Sequence, residues 1–404
     1  MFKCSAAETG KPSGPSELTD TALPQLPAWL LALSGTIKFE AKEIQTPNSR
    51  LRDVEIPVKT TPDRILIEQA NLTTTQGELL IDFAVDKHSR RFTATIQAEH
   101  LVFTDDESPS TNGLIFDNEI LLPEWLSTLD GELNIAISTS EIAKIKLKDL
   151  GGEFFFRGRK LTAQLSAGLE NGHLRANFEH DYDNSETKMS ATGSAVPLHL
   201  MPATRDYLVD TALNFESDLY ARGNTPREFA ETLNGTVTVE AMHGNIDIRK
   251  LEKLSQDILS LTLTSIIPIP FGSHTAQLEC AVIKFPIKNG VANSANAIAL
   301  RTQNLAVMGG GEINFADESL DIRLHPHARS TTKINTKTAV KEVKLAGPLR
   351  DIQVDAKLGG ILTQGISLTT KIAALGLSKL KLPLLDWAAP GTEACMSTLT
   401  NEHP

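Results

Sequence analysis

Leu26-Pro27-Ala28-Trp29-Leu30-Leu31-Ala32-Leu33-Ser34-Gly35 is answered further on by Leu122-Pro123-Glu124-Trp125-Leu126-Ser127-Thr128-Leu129-Asp130-Gly131. Leucine, proline, tryptophan and the closing glycine recur at one constant offset. Two of the three tryptophans occupy the same place in the motif. Alternating apolar and polar residues follow each copy, beginning at Thr36-Ile37-Lys38-Phe39 and at Glu132-Leu133-Asn134-Ile135. A third, looser copy runs from Pro226 to Leu233-Asn234-Gly235. Such self-similarity marks a tandem array, in which each unit covers its neighbour and the product is an extended surface. The period is near one hundred residues, with hairpin turns inside it. This excludes a β-helix, whose rungs are about twenty to twenty-five residues.

Composition narrows the class. The 404 residues are long enough for two to four units, and the 41% hydrophobic content is that of a folded chain. A net charge of −11 with no basic stripe argues against nucleic acid as a partner. Three cysteines, Cys4, Cys280 and Cys395, are too few for a disulfide scaffold and wrongly spaced for zinc. Cys280 and Cys395 can form one bridge in an oxidising compartment or remain two separate thiols. Met1–Gly10 has no apolar core of a secretory signal, and the apolar window Ile258–Phe271 is too short to span a bilayer.

Strand and turn signals divide the chain into a linker at 1–22, a first β-repeat at 23–104, an acidic loop at 105–120, a second β-repeat at 121–203 and a last domain at 204–404. In the first repeat, Arg64–Ala70, Glu78–Val85 and Phe92–Val102 alternate with period two, separated by Thr61-Pro62-Asp63, Gln76-Gly77 and Lys87-His88-Ser89. In the second, Asn171-Gly172 is a hairpin signal before Leu174–Phe178. Thr225-Pro226-Arg227-Glu228 carries an N-cap, a proline at the first helical position and a capping-box glutamate. This predicts a helix over Pro226–Leu233. Apolar spacing predicts further helices over Arg249–Thr262 and Gly359–Leu380.

From Leu233-Asn234-Gly235 and His243-Gly244-Asn245-Ile246-Asp247-Ile248 onward, the chain resembles the C-terminal domain of the AsmA family. The resemblance continues through Cys280, Phe285-Pro286-Ile287-Lys288-Asn289-Gly290-Val291, Leu305–Phe315, Leu320–Pro326, Val343–Leu349 and Cys395. It is specific over about 213–355 and looser over the upstream repeats. It implies kinship with TamB and the repeating-β-groove lipid transporters: a long, U-shaped antiparallel sheet with an apolar groove. It further implies a periplasmic body on an inner-membrane anchor and a part in phospholipid movement or outer-membrane homeostasis. No anchoring helix and no N-terminal AsmA portion is seen in this sequence, so the resemblance implies an anchor protein or an upstream AsmA portion as partner.

The fold expected is thus mainly β: an extended, curved antiparallel sheet of tandem units with a few short helices capping its C-terminal part. Acyl chains in such a groove would leave water, at roughly 0.8 kcal/mol per methylene. Candidate lining residues are Ile37, Phe39, Leu133, Ile135, Phe178, Ile283, Phe285, Ile298, Ile313, Phe315 and Ile322; packing beneath helices would explain them equally. Alternation does not say which face is the groove. The tryptophans are expected to be packing anchors between repeats.

No enzyme signature, cofactor motif or metal site stands out. His325-Pro326-His327 lacks further ligands, Gly309-Gly310-Gly311 lacks the lysine and helix of a phosphate loop and is expected to bend a strand, and paired aspartates such as Asp181 and Asp183 lie in turns. The function expected is non-enzymatic lipid binding in the envelope. The alternative is a scaffold for outer-membrane protein assembly acting through strand edges.

Overall fold

The computed structural model describes residues 34–45, 50–103, 115–142, 145–198, 208–247, 275–303, 305–328, 340–358, 361–367 and 395. The described residues form one twenty-stranded sheet. Five strands follow the first tryptophan motif: β1 (Gly35–Gln45), β2 (Arg50–Thr60), β3 (Arg64–Thr73), β4 (Glu78–Asp86) and β5 (Phe92–Phe103). Five follow the second: β6 (Gly131–Ile142), β7 (Ile145–Arg157), β8 (Lys160–Leu169), β9 (Gly172–Asp181) and β10 (Glu186–Pro197). Next come β11 (Leu208–Val209), β12 (Ala212–Arg222), β13 (Asn234–Asp247), β14 (Thr275–Lys288), β15 (Val291–Thr302), β16 (Leu305–Asn314) and β17 (Ser319–Ala328). The sheet ends with β18 (Val340–Pro348), β19 (Gln353–Leu358) and β20 (Ile361–Ser367).

Neighbours in the sheet are neighbours in the chain. The short β11 continues the line of β12 along β13, so that β10 pairs directly with β12. The pairs are antiparallel, as the hairpin turns require, with one exception: β5 and β6 run parallel. A parallel pair needs a crossover rather than a hairpin, and residues 104–130 supply one. Gly131 opens β6 at φ 159°. A Cβ there would overlap the carbonyl and ring of Phe92, the first residue of β5.

The second tryptophan motif forms a short 3-10 helix, Glu124–Thr128, at the end of the crossover. Its leucines do the packing: Leu122, Leu126 and Leu129 meet Phe92, Leu133, Phe154, Phe156, Leu161 and Tyr182. Trp125 does not. It is 58% exposed, which corrects its expected role as a packing anchor; Trp29 lies outside the described residues. At the third copy, helix α1 (Pro226–Thr232) has the full capping box, with Thr225 and Glu228 each accepting from the other's backbone N–H.

Two helix expectations fare differently. Arg249–Thr262 lies outside the described residues. Within Gly359–Leu380, Ile361–Ser367 is strand β20 paired to β19, not helix. A spacing-based reading missed that a β-branched run beside an open sheet edge gains a ladder of backbone hydrogen bonds. The triple glycine lies in β16 opposite an irregularity between Ser294 and Ile298. A Cβ on Gly310 would overlap the Ser294 carbonyl, so these glycines serve close backbone approach.

Residues 115–130 run along one rim of the sheet and join distant strands. The Glu318 carboxylate, 6% exposed in the β16–β17 turn, accepts from the backbone N–H groups of Ile115 (2.9 and 2.8 Å) and Phe116 (2.8 Å). Arg227 N–H donates to the Asp117 carbonyl at 3.0 Å, and Leu121 N–H to that of Asn224 at 2.9 Å. Arg159 then meets Glu124 at 2.6 Å, and Arg91 meets Asp130 at 3.3 Å.

This rim path demands curvature. Phe103 ends β5 on the opposite rim, and Ile115 is only twelve residues later, a reach of at most ~43 Å. Ten strand pairings separate β5 from β16, or ~48 Å in a flat sheet before any strand length is added. The sheet is therefore coiled. Bulges contribute, with Asp53, Gln69, Asp149 and Ala195 at positive φ inside strands.

Removing the Glu318 carboxylate should loosen the strap. Glu318→Ala strands two backbone donors and is expected to cost about 2–4 kcal/mol in urea denaturation. Proteolytic cleavage should appear first within residues 104–122.

Candidate functional site

The strand register settles which side chains share a face. One directly paired row crosses seventeen strands: Ile37, Val58, Ile67, Phe83, Ala94, Leu133, Phe154, Ala163, Phe178, Met189, Leu219, Gly235, Ile287, Ala292, Ile313, Leu320 and Gly347. Every member is apolar or glycine. A second row on the same face runs Ala70, Ile81, Ile96, Ile135, Gly152, Leu165, Ala176, Ala191, Ser217, Val237 and Phe285. The row one residue over, on the opposite face, is mixed: Lys59, Leu66, Ala84, Thr93, Glu132, Phe155, Thr162, Glu179, Lys188, Tyr220 and Asn234. Period-two alternation puts an apolar set on one face of each strand. Pairing in register across both repeats and into the last domain makes that set continuous.

The eleven candidate residues fall as follows. Ile37, Leu133, Phe178 and Ile313 are in the first row, and Ile135 and Phe285 in the second. Phe39 is two residues from Ile37, and Ile322 two from Leu320, hence on the same face. Ile283 pairs with Val239 and Ile298 on that face. Phe315 alone is off the strands. It sits in the rim turn, where its ring meets that of Phe116 edge-on at 6.4 Å.

Burial is graded along the face. Ile37 and Phe39 on β1 are 56% and 48% exposed and Ile283 is 40% exposed, whereas Leu219, Phe285, Ile287 and Ile322 are buried. One apolar cluster extends from Ile142 on β6 to Leu300 on β15, and another from Met189 on β10 to Leu345 on β18. Between them the small residues Ala176 and Ala191 are packed by Leu165 and Phe215; the Phe215 ring lies where a Cβ of Gly193 would be.

His180 is fully buried, with Nδ1 2.8 Å from the Thr187 hydroxyl and its ring edge-on to Tyr182 at 4.4 Å. Burial pushes the His180 pKa down from its ordinary 6.5 and the Tyr182 pKa up to about 12. A histidine depressed in the folded state stabilises the fold above its unfolded pKa. As pH falls below 6.5, the unfolded chain takes up the proton first and stability declines toward the depressed folded value. Wild type should lose stability between pH 6.5 and the lower folded pKa, and His180→Gln should flatten that part of the profile in denaturant titrations.

The strapped rim is charged but internally paired. Arg157 meets Glu132 at 2.7 Å, Lys160 meets Asp181 at 2.8 Å, and Arg222 meets Glu186 at 2.6 Å. The Lys160 ammonium holds the Asp181 carboxyl below its ordinary pKa, and the Tyr220 hydroxyl, then Arg222, does so for Glu186. On the opposite face, Cys280 and Cys395 are joined in a buried disulfide beside Val282. Among the described residues, no group of three His, Cys, Asp or Glu is placed to hold a metal ion, and His325 and His327 point outward from β17. No helix among them is long and apolar enough to cross a membrane.

The sequence matches no family model, and no solved structure matches the fold. The chain is similar to the AsmA family protein YhjG of Escherichia coli (strain K12), with 23% identity over 244 residues. That stretch covers 58% of this chain and 34% of the relative, so the chain spans about a third of the curated relative's length. The long open sheet with one apolar face agrees with that similarity.

Proposed function

We propose that the apolar face of the coiled sheet is a trough that holds lipid acyl chains, and that the protein serves phospholipid transport or outer-membrane homeostasis in the bacterial envelope without catalysing a reaction. The observation that carries this reading is the seventeen-residue row without a polar side chain. A protein interior needs such a face only where a second layer covers it; this coiled sheet packs part of the face on itself and leaves Ile37, Phe39 and Ile283 exposed. Each methylene laid there gains roughly 0.8 kcal/mol over water. The uniform lining gives no reason for an acyl chain to stop at one strand rather than the next. The paired charges along the strapped rim suit a headgroup kept in solvent.

The Cys280–Cys395 bridge supports an oxidising compartment, and so the periplasm. An inner-membrane anchor, within a longer polypeptide or on a separate protein, would hold the trough in place. Mass spectrometry of organic extracts from protein purified without detergent tests the reading. Near-stoichiometric phospholipid is the expected result. Folded, monodisperse protein without lipid would reject it and favour the scaffold alternative.

A further inference from the structure

Burial changes abruptly along the row of the apolar face nearest the strapped rim. Ile65, Val85 and Phe92 of the first repeat continue in register into Gly131, Phe156, Leu161, His180, Thr187 and Ala221. The first three are half-buried. From Phe156 to Ala221 the row is at most 7% exposed. The strap lies over the Phe156 and Leu161 part. Leu122, Leu126 and Leu129 pack on Phe156, Leu161 and Tyr182, the cluster on which Leu133, Phe154 and Phe178 of the adjoining row also pack. The strap thus sits where the trough would otherwise be open.

Its fastening is uneven. Glu318 grips the Ile115 and Phe116 N–H groups, and Leu121 N–H donates to the Asn224 carbonyl at 2.9 Å. The next backbone bond to the sheet is from Phe92 N–H to the Asp130 carbonyl at 3.0 Å. Between these points, among the described residues, 122–129 makes backbone hydrogen bonds only within itself. Its short 3-10 helix has no side-chain cap. One guanidinium holds it down: Arg159 donates to the Glu124 carboxylate at 2.6 Å and to the Ser127 hydroxyl at 3.0 Å. Arg159 and Glu124 are 45% and 58% exposed, so water screens the pair and the latch is weak.

We infer that residues 122–129 are a lid over an acyl-chain site, hinged at Leu121 and Asp130 and latched by Arg159. The inference rests on the trough reading and adds a place and a gate to it. The three leucines occupy the ground that an acyl chain takes when the lid lifts. Both occupants are saturated hydrocarbon on the same floor of Phe156, Leu161 and Tyr182, so one replaces the other with little change in apolar burial. The anchors at Glu318 and Asn224 on one side and at Phe92 on the other keep the lifted segment attached.

The test titrates oleic acid into the full wild-type chain, freed of lipid and detergent, and follows amide hydrogen exchange by mass spectrometry. Exchange over 122–129 should rise as oleate binds, while 115–121, held by Glu318, stays protected. Arg159→Gln and Glu124→Gln, with melting matched to wild type, should each take up oleate roughly three- to fivefold faster, the size of effect of an exposed ion pair. The double variant should match Arg159→Gln, because the two residues share one link. Bound oleate with unchanged exchange over 122–129 would overturn the lid and leave the trough reading standing. Wild-type uptake rates in both variants would do the same. Folded wild type that binds no oleate would reject the trough reading and the lid with it.

Discussion

Ile283→Glu should empty the protein of lipid while leaving it folded. Ile283 lies on the apolar face between Val239 and Ile298. At 40% exposure it can carry a carboxylate at little cost to the fold. An acyl chain passing that point must lie against the charge or leave the trough. Either outcome is expected to lower bound phospholipid roughly tenfold or more, because ~1.4 kcal/mol suffices for each decade and stripping water from a carboxylate costs more than that. The neighbouring substitution Lys284→Glu changes charge by two units on the opposite face, where Lys284 pairs with Thr238. It should leave bound lipid unchanged. Quantitative lipid extraction from both variants, at matched melting temperature, checks the pair of outcomes. Equal loss in both would point to net charge, and loss in neither would remove Ile283 from the lipid path.

The second large effect concerns the disulfide. Cys280 and Cys395 are 115 residues apart in sequence and both nearly fully buried. A crosslink closing a loop of this length restricts the unfolded chain strongly, and its removal typically costs about 2–5 kcal/mol. Cys280→Ala and Cys395→Ala should therefore show the same lowered midpoint in guanidinium, matching wild type under reductant. The double variant should cost no more than either single one, since the bond is shared. A double variant much less stable than both singles would assign the effect to lost packing around Val282 instead.

How much of this was legible beforehand differs from element to element. Helix α1 was readable because its signal is local: Thr225, Pro226 and Glu228 lie within one turn. The hairpins at Asn171-Gly172 and Gln76-Gly77 were readable for the same reason. β2 carries Pro57 mid-strand and charged residues at Arg50, Arg52, Asp53 and Glu55, so alternation alone did not mark it. β20 was misread because seven residues of apolar spacing fit a helix until a partner strand is known. Trp125 was misread because repetition signals that a residue matters, not whether it points inward.

Sequence by itself determined that the chain repeats, that each repeat is built of alternating strands, and where glycine and proline punctuate them. These are properties of dihedral preference and period, and they need no knowledge of distant residues. Tertiary structure decided the rest. Register across seventeen strands selected one face as continuously apolar, because shifting any single pairing by one residue would have sent that strand's apolar set to the other side. The parallel β5–β6 pair joins residues 39 positions apart and the rim strap on Glu318 joins residues 203 apart, and chain reach then requires the sheet to coil. The trough is a consequence of pairing and curvature together, and neither is encoded in any one stretch of the chain.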